Sequence, residues 1–267
     1  MNNIAVVSLI SQHDRRQHID TLFAEYALDF SYFNAIDRTQ VTETLAKYGL
    51  SSSEKLSTGE IACYLSHYCL WQQVIESDKS HLMIFEDDIY FSKDAKILLQ
   101  PLDWLPNHFD IVKLETMYQR VLINKGSALP LAHKLCQMKS RHMGTAGYII
   151  SQAGAKKLIA MTHAMGVSQP VDLCVFNNFI EDKGSQVYQV VPALCIQDQI
   201  YNDSARFGSE LNDAREVARQ LKIKPSGYQK VMRELNKVIR QMQPKNMYRA
   251  ISLIINGYKK QKIDYRE

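Results

Sequence analysis

No uninterrupted apolar run in the sequence approaches the ~18 residues of a membrane-spanning helix, which excludes a helical integral membrane protein. Glycine (11) and proline (7) are sparse in 267 residues, which excludes collagen-like and linker-dominated chains. The first ten residues, MNNIAVVSLI, have no basic leader and no small-residue cleavage site, and QHDRR follows almost at once. They are therefore read as folded protein, not as a secretory signal. A disulfide framework is also absent: the five cysteines are odd in number and none forms Cys-x-x-Cys, a usage that fits a reducing compartment. Cys63 and His67 lie one helical turn apart with Cys69 just beyond, a spacing that can serve zinc. No second ligand pair sits at a matching spacing, so these residues are read as core.

What is present is an ordinary globular composition, 46% apolar and 22% charged, in a length that suits one large or two modest domains. The charge is uneven. Residues 1–200 hold 17 Lys and Arg against 21 Asp and Glu, a net of −4, whereas residues 201–267 hold 15 against 7, a net of +8. An acidic body with a basic C-terminal part points to an anionic surface as a partner. The boundary is placed at 1–205 for the body and 206–267 for the basic extension.

The chain opens with an apolar run, Ile4 to Ile10, read as a buried strand. Gln12 to Leu28 carries Ile19, Leu22, Phe23 and Tyr26 at helical spacing, and Phe30 to Ile36 alternates as a strand. This β-α-β opening favours an α/β fold whose sheet has parallel neighbours. A long helix is expected over Thr58–Ile75, capped by Ser57 or Thr58 with Glu60 in its first turn. Strands follow at His81–Phe85, Phe109–Leu114 and Gly144–Ser151, the last leading into a helix capped by Ser151. A further strand spans Val187–Ile196, with Pro192 marking a bend. In the tail, Leu211–Leu221 and Gln229–Met242 read as helices.

The sharpest chemical feature is Glu86-Asp87-Asp88 directly after an apolar strand. Carboxylates crowded at the end of a buried strand repel one another unless a cation or strong donors neutralise them. Ligands of open α/β sheets bind at the carboxyl ends of strands. Residues two apart on a strand share a side, so Glu86 and Asp88 can converge. Hard cations such as Mg²⁺ or Mn²⁺ take such oxygen ligands. A solvated acidic turn is the alternative for these three residues taken alone.

The stretch LSTGEIACYLSHYCLWQQVIESDKSHLMIFEDDIYFS resembles the core signature of glycosyltransferase family 25, through Ser57, Gly59, Glu60, Ser66, His67, Trp71 and Glu86 to Asp88. Other blocks agree in order: the first strand with Arg15-Arg16, Asn34 to Asp37, Phe109 to Glu115, Gly144 to Tyr148, and Pro170 to Asp172. Two positions depart from the family pattern, the first strand lacking an Asn before its Leu and Arg38 standing where Gly is usual. The resemblance covers about residues 1–205. It implies a GT-A-like nucleotide-sugar transferase fold with a Rossmann-like mixed sheet. It also implies inverting transfer of galactose from UDP-galactose, with the bacterial branch acting on lipooligosaccharide and commonly forming β-1,4 linkages.

Roles can then be assigned. Asp88 is the first metal ligand and Glu86 the second, or a ribose acceptor, with Gln197 and Asp198 as candidates for a third. Asp87 points the other way, towards water or backbone at the donor pocket. Arg15 or Arg16 could hold phosphate or base, and Asp37 could accept from the nucleoside or cap the next segment. Glu60 could cap its helix or touch the pocket. The base that deprotonates the acceptor hydroxyl is placed at Asp172, with Glu115 as runner-up; capping and ion pairing are their structural alternatives. His67, Tyr148 and Asp110 are read as core or structural residues.

The implied cofactor is Mn²⁺ or Mg²⁺, and the implied partners are UDP-galactose and a lipooligosaccharide acceptor. The basic tail either docks on an anionic membrane, giving a cytoplasmic protein on the inner face of the inner membrane, or forms a lid or dimer element. Nucleic acid is not expected as a partner, since no reader module is present. A non-catalytic nucleotide-sugar binder of the same fold is the alternative to an enzyme.

Overall fold

Side-chain alternation along the first strand sets the layering. In β1 (Ile4–Ser8), Ile4 and Val6 enter one hydrophobic cluster while Ala5 and Val7 enter another. In β3 (His81–Glu86) the same division separates Met83 and Phe85 from Leu82 and Ile84. A sheet buried on both faces needs such two-sided apolar strands. The structure, a computed structural model, describes residues 3–182, 184–202, 206–207 and 252–267. The chain divides into two compact units, Met1–Gly208 with Lys260–Glu267, and Ser209–Lys259. All that follows concerns the first. The helices expected over Leu211–Leu221 and Gln229–Met242 lie outside the described residues.

After β1 come α1 (His13–Glu25), β2 (Ser31–Asn34), α2 (Val41–Tyr48) and α3 (Thr58–Glu76). The β1-α1-β2 opening is parallel, and β1 also pairs in parallel with β3. α3 begins with a capping box: the Ser57 hydroxyl accepts from the Glu60 amide at 3.2 Å, and Glu60 Oε2 accepts from the Ser57 amide at 3.0 Å. It buries residues on most of its circumference, from Ile61 to Val74, as a helix inside the core must.

β4 (Ile89–Phe91) and α4 (Ala95–Leu99) follow β3. The strand expected over Phe109–Leu114 is present but shorter, and the chain changes sheets just past it. β5 (Ile111–Lys113) stays in the main sheet, while β6 (Glu115–Thr116) belongs to a small three-stranded sheet. Three strands, β7 (Arg120–Ile123), β8 (Ser127–Ala128) and β9 (Lys134–Gln137), lead to β10 (Gly147–Ser151) and α5 (Gln152–Met165). Ser151 Oγ accepts from the Gly154 amide at 3.0 Å, capping α5 as its sequence implies. Beyond α6 (Val171–Leu173) and α7 (Phe179–Glu181), the strand expected over Val187–Ile196 is broken. It runs as β11 (Val187–Val191) and, past Pro192, which has no amide hydrogen to donate, as β12 (Cys195–Gln197). α8 (Asp198–Tyr201) follows, and β13 (Lys259–Lys262) pairs with β7.

The main sheet has the order β2-β1-β3-β10-β5-β11-β9-β8, and β4-β12-β6 form the small sheet. β10 lies antiparallel between β3 and β5, and β11 is parallel to β5. The result is a mixed α/β fold. β1, β3, β5 and β11 all end at one edge, where β10 begins and the small sheet continues. Among the described residues no helix is long and apolar enough to cross a membrane.

Candidate active site

The carboxylates stand at that edge. Glu86 ends β3, Asp87 and Asp88 turn the chain into β4, and Glu115 opens β6 directly across the change of sheet from Lys113. Glu86 is tied by both oxygens. Oε1 accepts from the Thr145 hydroxyl at 2.8 Å and faces His67 Nε2 at 3.5 Å, while Oε2 accepts from Gln197 Nε2 at 3.1 Å. Burial alone would push the Glu86 carboxyl up, but His67, Thr145 and Lys113 outweigh it and hold it below its usual range.

Asp87 pairs with Arg15 at 2.7 Å, and the same guanidinium nitrogen lies 3.8 Å from Asp88. Asp88 Oδ1 is buried without a hydrogen-bond partner. Burial and the charges of Glu86, Asp87 and Glu115 push its carboxyl up to about 8, against the opposing pull of Arg15. Its backbone carbonyl accepts from the Asp198 amide at 2.7 Å.

Glu115 is fully buried, as is Lys113, whose Nζ donates to Glu115 Oε2 at 2.9 Å and to the Gly144 carbonyl. The Ala146 amide also donates to Oε2, at 3.0 Å, while Oε1 is buried and unpartnered. Burial pushes this carboxyl up to about 7, Lys113 opposing it and Glu86 adding to it. Lys113 Nζ lies 4.0 Å from the centre of the Phe176 ring. Gly144, at φ +84°, covers Glu115 so closely that a Cβ there would overlap Oε1 and lie 2.7 Å from Oε2. Its amide donates to Asp172 Oδ2 at 3.5 Å. Asp172 is half-buried and also accepts from the Leu173 amide, at 2.9 Å. Gly144 thus joins the Asp172 and Glu115 sides of the site.

Asp88 and Glu115 each keep a buried carboxylate oxygen without a hydrogen-bond partner, and with Glu86, whose charge raises both carboxyls, they are the hard-oxygen set of this edge. Oxygen donors suit a Mg²⁺- or Mn²⁺-like cation, but among the described residues no three of these carboxylates bring ligand atoms within 4.8 Å of one another, so Asp88 and Glu86 are the pair that would hold it. Gln197 reaches it through Glu86, and its own Oε1 accepts from Gln199 at 3.2 Å.

The other sequence-derived candidates have local partners. Arg16 donates to the Ser8 carbonyl at 3.0 Å and to Asn34 Oδ1 at 2.7 Å, and stacks on Tyr32 at 4.5 Å, locking the ends of β1 and β2 together. Asp37 caps the short turn Arg38–Gln40, accepting from the Thr39 amide at 2.7 Å, a bond that also holds its carboxyl below the usual range. Glu60 completes the α3 capping box. Asp198 accepts from Asn202 at 2.7 Å and from the Phe207 amide at 3.0 Å. Asp110, buried, accepts from Lys157 and the Gln186 amide, both at 2.8 Å. Tyr148 is fully buried and bonded to His67 and Trp71. The ion pair with Lys113, the structural alternative for Glu115, is present, whereas Thr145, which bonds Glu86, was given no role from sequence. The opposite charges of Lys113 and Glu115, two residues apart in sequence, were the signal for their pairing.

A family model described as Glycosyltransferase family 25 (LPS biosynthesis protein) matches residues 1–175. The lacto-N-neotetraose biosynthesis glycosyltransferase LgtE of Neisseria gonorrhoeae is 33% identical over 230 residues, 80% of this chain and 82% of that protein. LgtB of Neisseria meningitidis serogroup B, of the same description, is 31% identical over 91% of this chain and 96% of its own. The lipooligosaccharide biosynthesis protein lex-1 of Haemophilus influenzae is 29% identical, covering 90% and 91%. With the family match spanning all the strand-end carboxylates and Asp172, the chain belongs to glycosyltransferase family 25.

Proposed function

We propose that this glycosyltransferase is an inverting, metal-assisted, GT-A-like galactosyltransferase. It moves galactose from UDP-galactose to a terminal glucose or N-acetylglucosamine of lipooligosaccharide and forms a β-1,4 linkage. The observation that carries this reading is the buried, unpartnered Oδ1 of Asp88 at the sheet edge that Glu86 ends, where the charge of Glu86 bears on it. The choice of sugar and acceptor rests on the resemblance to family 25 and on relatives named for lacto-N-neotetraose and lipooligosaccharide biosynthesis.

A divalent ion bound at this edge would supply charge stabilisation for the departing nucleoside diphosphate. Asp88 and Glu86 would hold it, and Gln197 fixes the rotamer of Glu86 through its 3.1 Å bond. Arg15, anchored on Asp87, adds a fixed cation beside the leaving phosphates. Asp172 Oδ takes the proton of the acceptor hydroxyl as it attacks from the face opposite the leaving group. Of the two base candidates, Asp172 is half-buried, whereas Glu115 is fully buried and bonded to Lys113, so the base is assigned to Asp172. Glu115 and Lys113 instead hold the Gly144–Ala146 segment against the site. Arg16, Asp37 and Glu60 shape the donor side through the caps and strand ends they fix. The basic stretch 201–267 provides for peripheral docking on an anionic membrane.

The test is UDP release and product formation with a panel of UDP-sugars, with and without Mn²⁺, on lactose-, glucose- and N-acetylglucosamine-ended acceptors. Mn²⁺-dependent turnover confined to UDP-galactose is the expected result. Absence of turnover with every donor, metal and acceptor would refute the reading and leave a nucleotide-sugar binder.

A further inference from the structure

Cys63 and His67, one turn apart on α3, point to the same side of the helix, and Glu86 meets them from the end of β3. One ligand atom from each of the three lies within 4.8 Å of the others. We propose that Cys63, His67 and Glu86 form a second cation site, selective for a borderline-soft divalent ion such as zinc. It lies beside the hard-oxygen set.

The imidazole supplies the strongest indication. His67 is fully buried, and its Nε2 has no hydrogen-bond partner while lying 3.5 Å from Glu86 Oε1. An imidazole nitrogen sealed from water without a partner is costly, and a metal ion would relieve it. The other ring nitrogen, Nδ1, is 2.8 Å from the Tyr148 hydroxyl, which also accepts from Trp71 Nε1 at 3.0 Å. A metal-bound histidine characteristically engages its second nitrogen in this way, which fixes the ring. Cys69, the sequence neighbour, is instead buried beside Tyr48, 3.8 Å from its hydroxyl, and takes no part.

The donor set distinguishes this site from its neighbour. Thiolate, imidazole and carboxylate suit zinc, whereas Mg²⁺ and Mn²⁺ favour oxygen ligands. The two Glu86 oxygens serve different sides, Oε1 facing His67 and Oε2 facing Gln197. The Glu86 side chain is 21% exposed, which leaves a route for the ion and a fourth position for water.

The test uses the full-length protein and Co²⁺ as a visible stand-in for zinc. One equivalent should give a thiolate-to-cobalt charge-transfer band in the near ultraviolet, and Zn²⁺ should abolish it. Cys63→Ser, and Cys63→Ala as a second variant, should lose the band and weaken Zn²⁺ binding at least ten-fold, with circular dichroism showing an intact fold. Cys69→Ser and Asp88→Asn should keep it. No band in the natural protein, or a band that survives in folded Cys63 variants, would overturn the proposal. Because the readout involves neither donor nor acceptor, failure of the galactosyltransferase reading would leave the band in place.

Discussion

Replacing Gly144 by alanine tests the packing that joins the two sides of the site. At φ +84° an L-residue pays a conformational cost of about 1–2 kcal/mol. The new Cβ would also lie 2.7 Å from Glu115 Oε2 and overlap Oε1. Glu115 cannot swing aside freely: it is fully buried, with its Oε2 held by Lys113 at 2.9 Å and by the Ala146 amide at 3.0 Å. Overpacking of this kind typically costs about 1–3 kcal/mol. The two contributions together come to about 2–5 kcal/mol. Gly49 supplies the control, since it has φ +62° and open space around its Cβ position. Gly49→Ala should therefore show the conformational cost alone. For a protein of this size each kcal/mol moves the melting temperature about 2–4 °C, so Gly144→Ala should melt about 2–12 °C below Gly49→Ala. Differential scanning calorimetry of both variants measures the gap. Equal shifts would refute the claim that Gly144 is required by its contact with Glu115.

Three further outcomes follow from the same site. Lys113→Met leaves the Glu115 carboxylate buried without its cation and should cost about 3–5 kcal/mol in urea unfolding; adding Glu115→Leu should recover most of it, and an unchanged midpoint in the single variant would contradict a working ion pair. Asp88 and Glu115, pushed up to about 8 and about 7 by burial, bind more protons folded than unfolded, so their contribution to stability is present below their ordinary pKa values and is lost as pH rises through the folded ones. In metal-free buffer this contribution makes the melting temperature fall from about pH 5 to about pH 8, Mn²⁺ should flatten the decline, and Asp88→Asn should reduce it; a slope indifferent to both would count against the site. Asp172→Asn should lower turnover by a factor of about 10²–10⁴ with UDP affinity intact, and near-normal turnover would remove Asp172 from the role of base.

Much of the frame was legible because it is local. The apolar run before Glu86 identifies β3, and Ser57 with Glu60 at cap spacing marks the start of α3. What was not legible depends on pairing between distant segments. Nothing in the neighbourhood of Arg15 points to Asp87, 72 positions away. Cys63 and His67 lacked a matching ligand pair in sequence because Glu86 reaches them from another element. Lys113 reads as part of a strand and Glu115 as the residue past its end, but the chain continues there into a second sheet, and this change of sheet places both side chains together in the interior. Asp37 and Glu60 show the reverse case. Their types suit a nucleotide pocket, but the nearest unsatisfied amides belong to their own turns, and they bond there.

The last eight residues have a consequence for how the protein can be shortened. The Thr116 hydroxyl, next to Glu115, donates to the Ile263 carbonyl at 2.6 Å, and Ile263 is fully buried. The Ala193 amide, between β11 and β12, donates to the Asp264 carbonyl at 2.8 Å. In sequence, residues 209–259 are thus an excursion between two stretches of one unit, and 260–267 act as a keystone beside the strand that carries Glu115. Stopping translation after Gly208 would remove that keystone together with the excursion. Shortening the chain from that side should therefore destabilise the body even though it removes no residue of the candidate site.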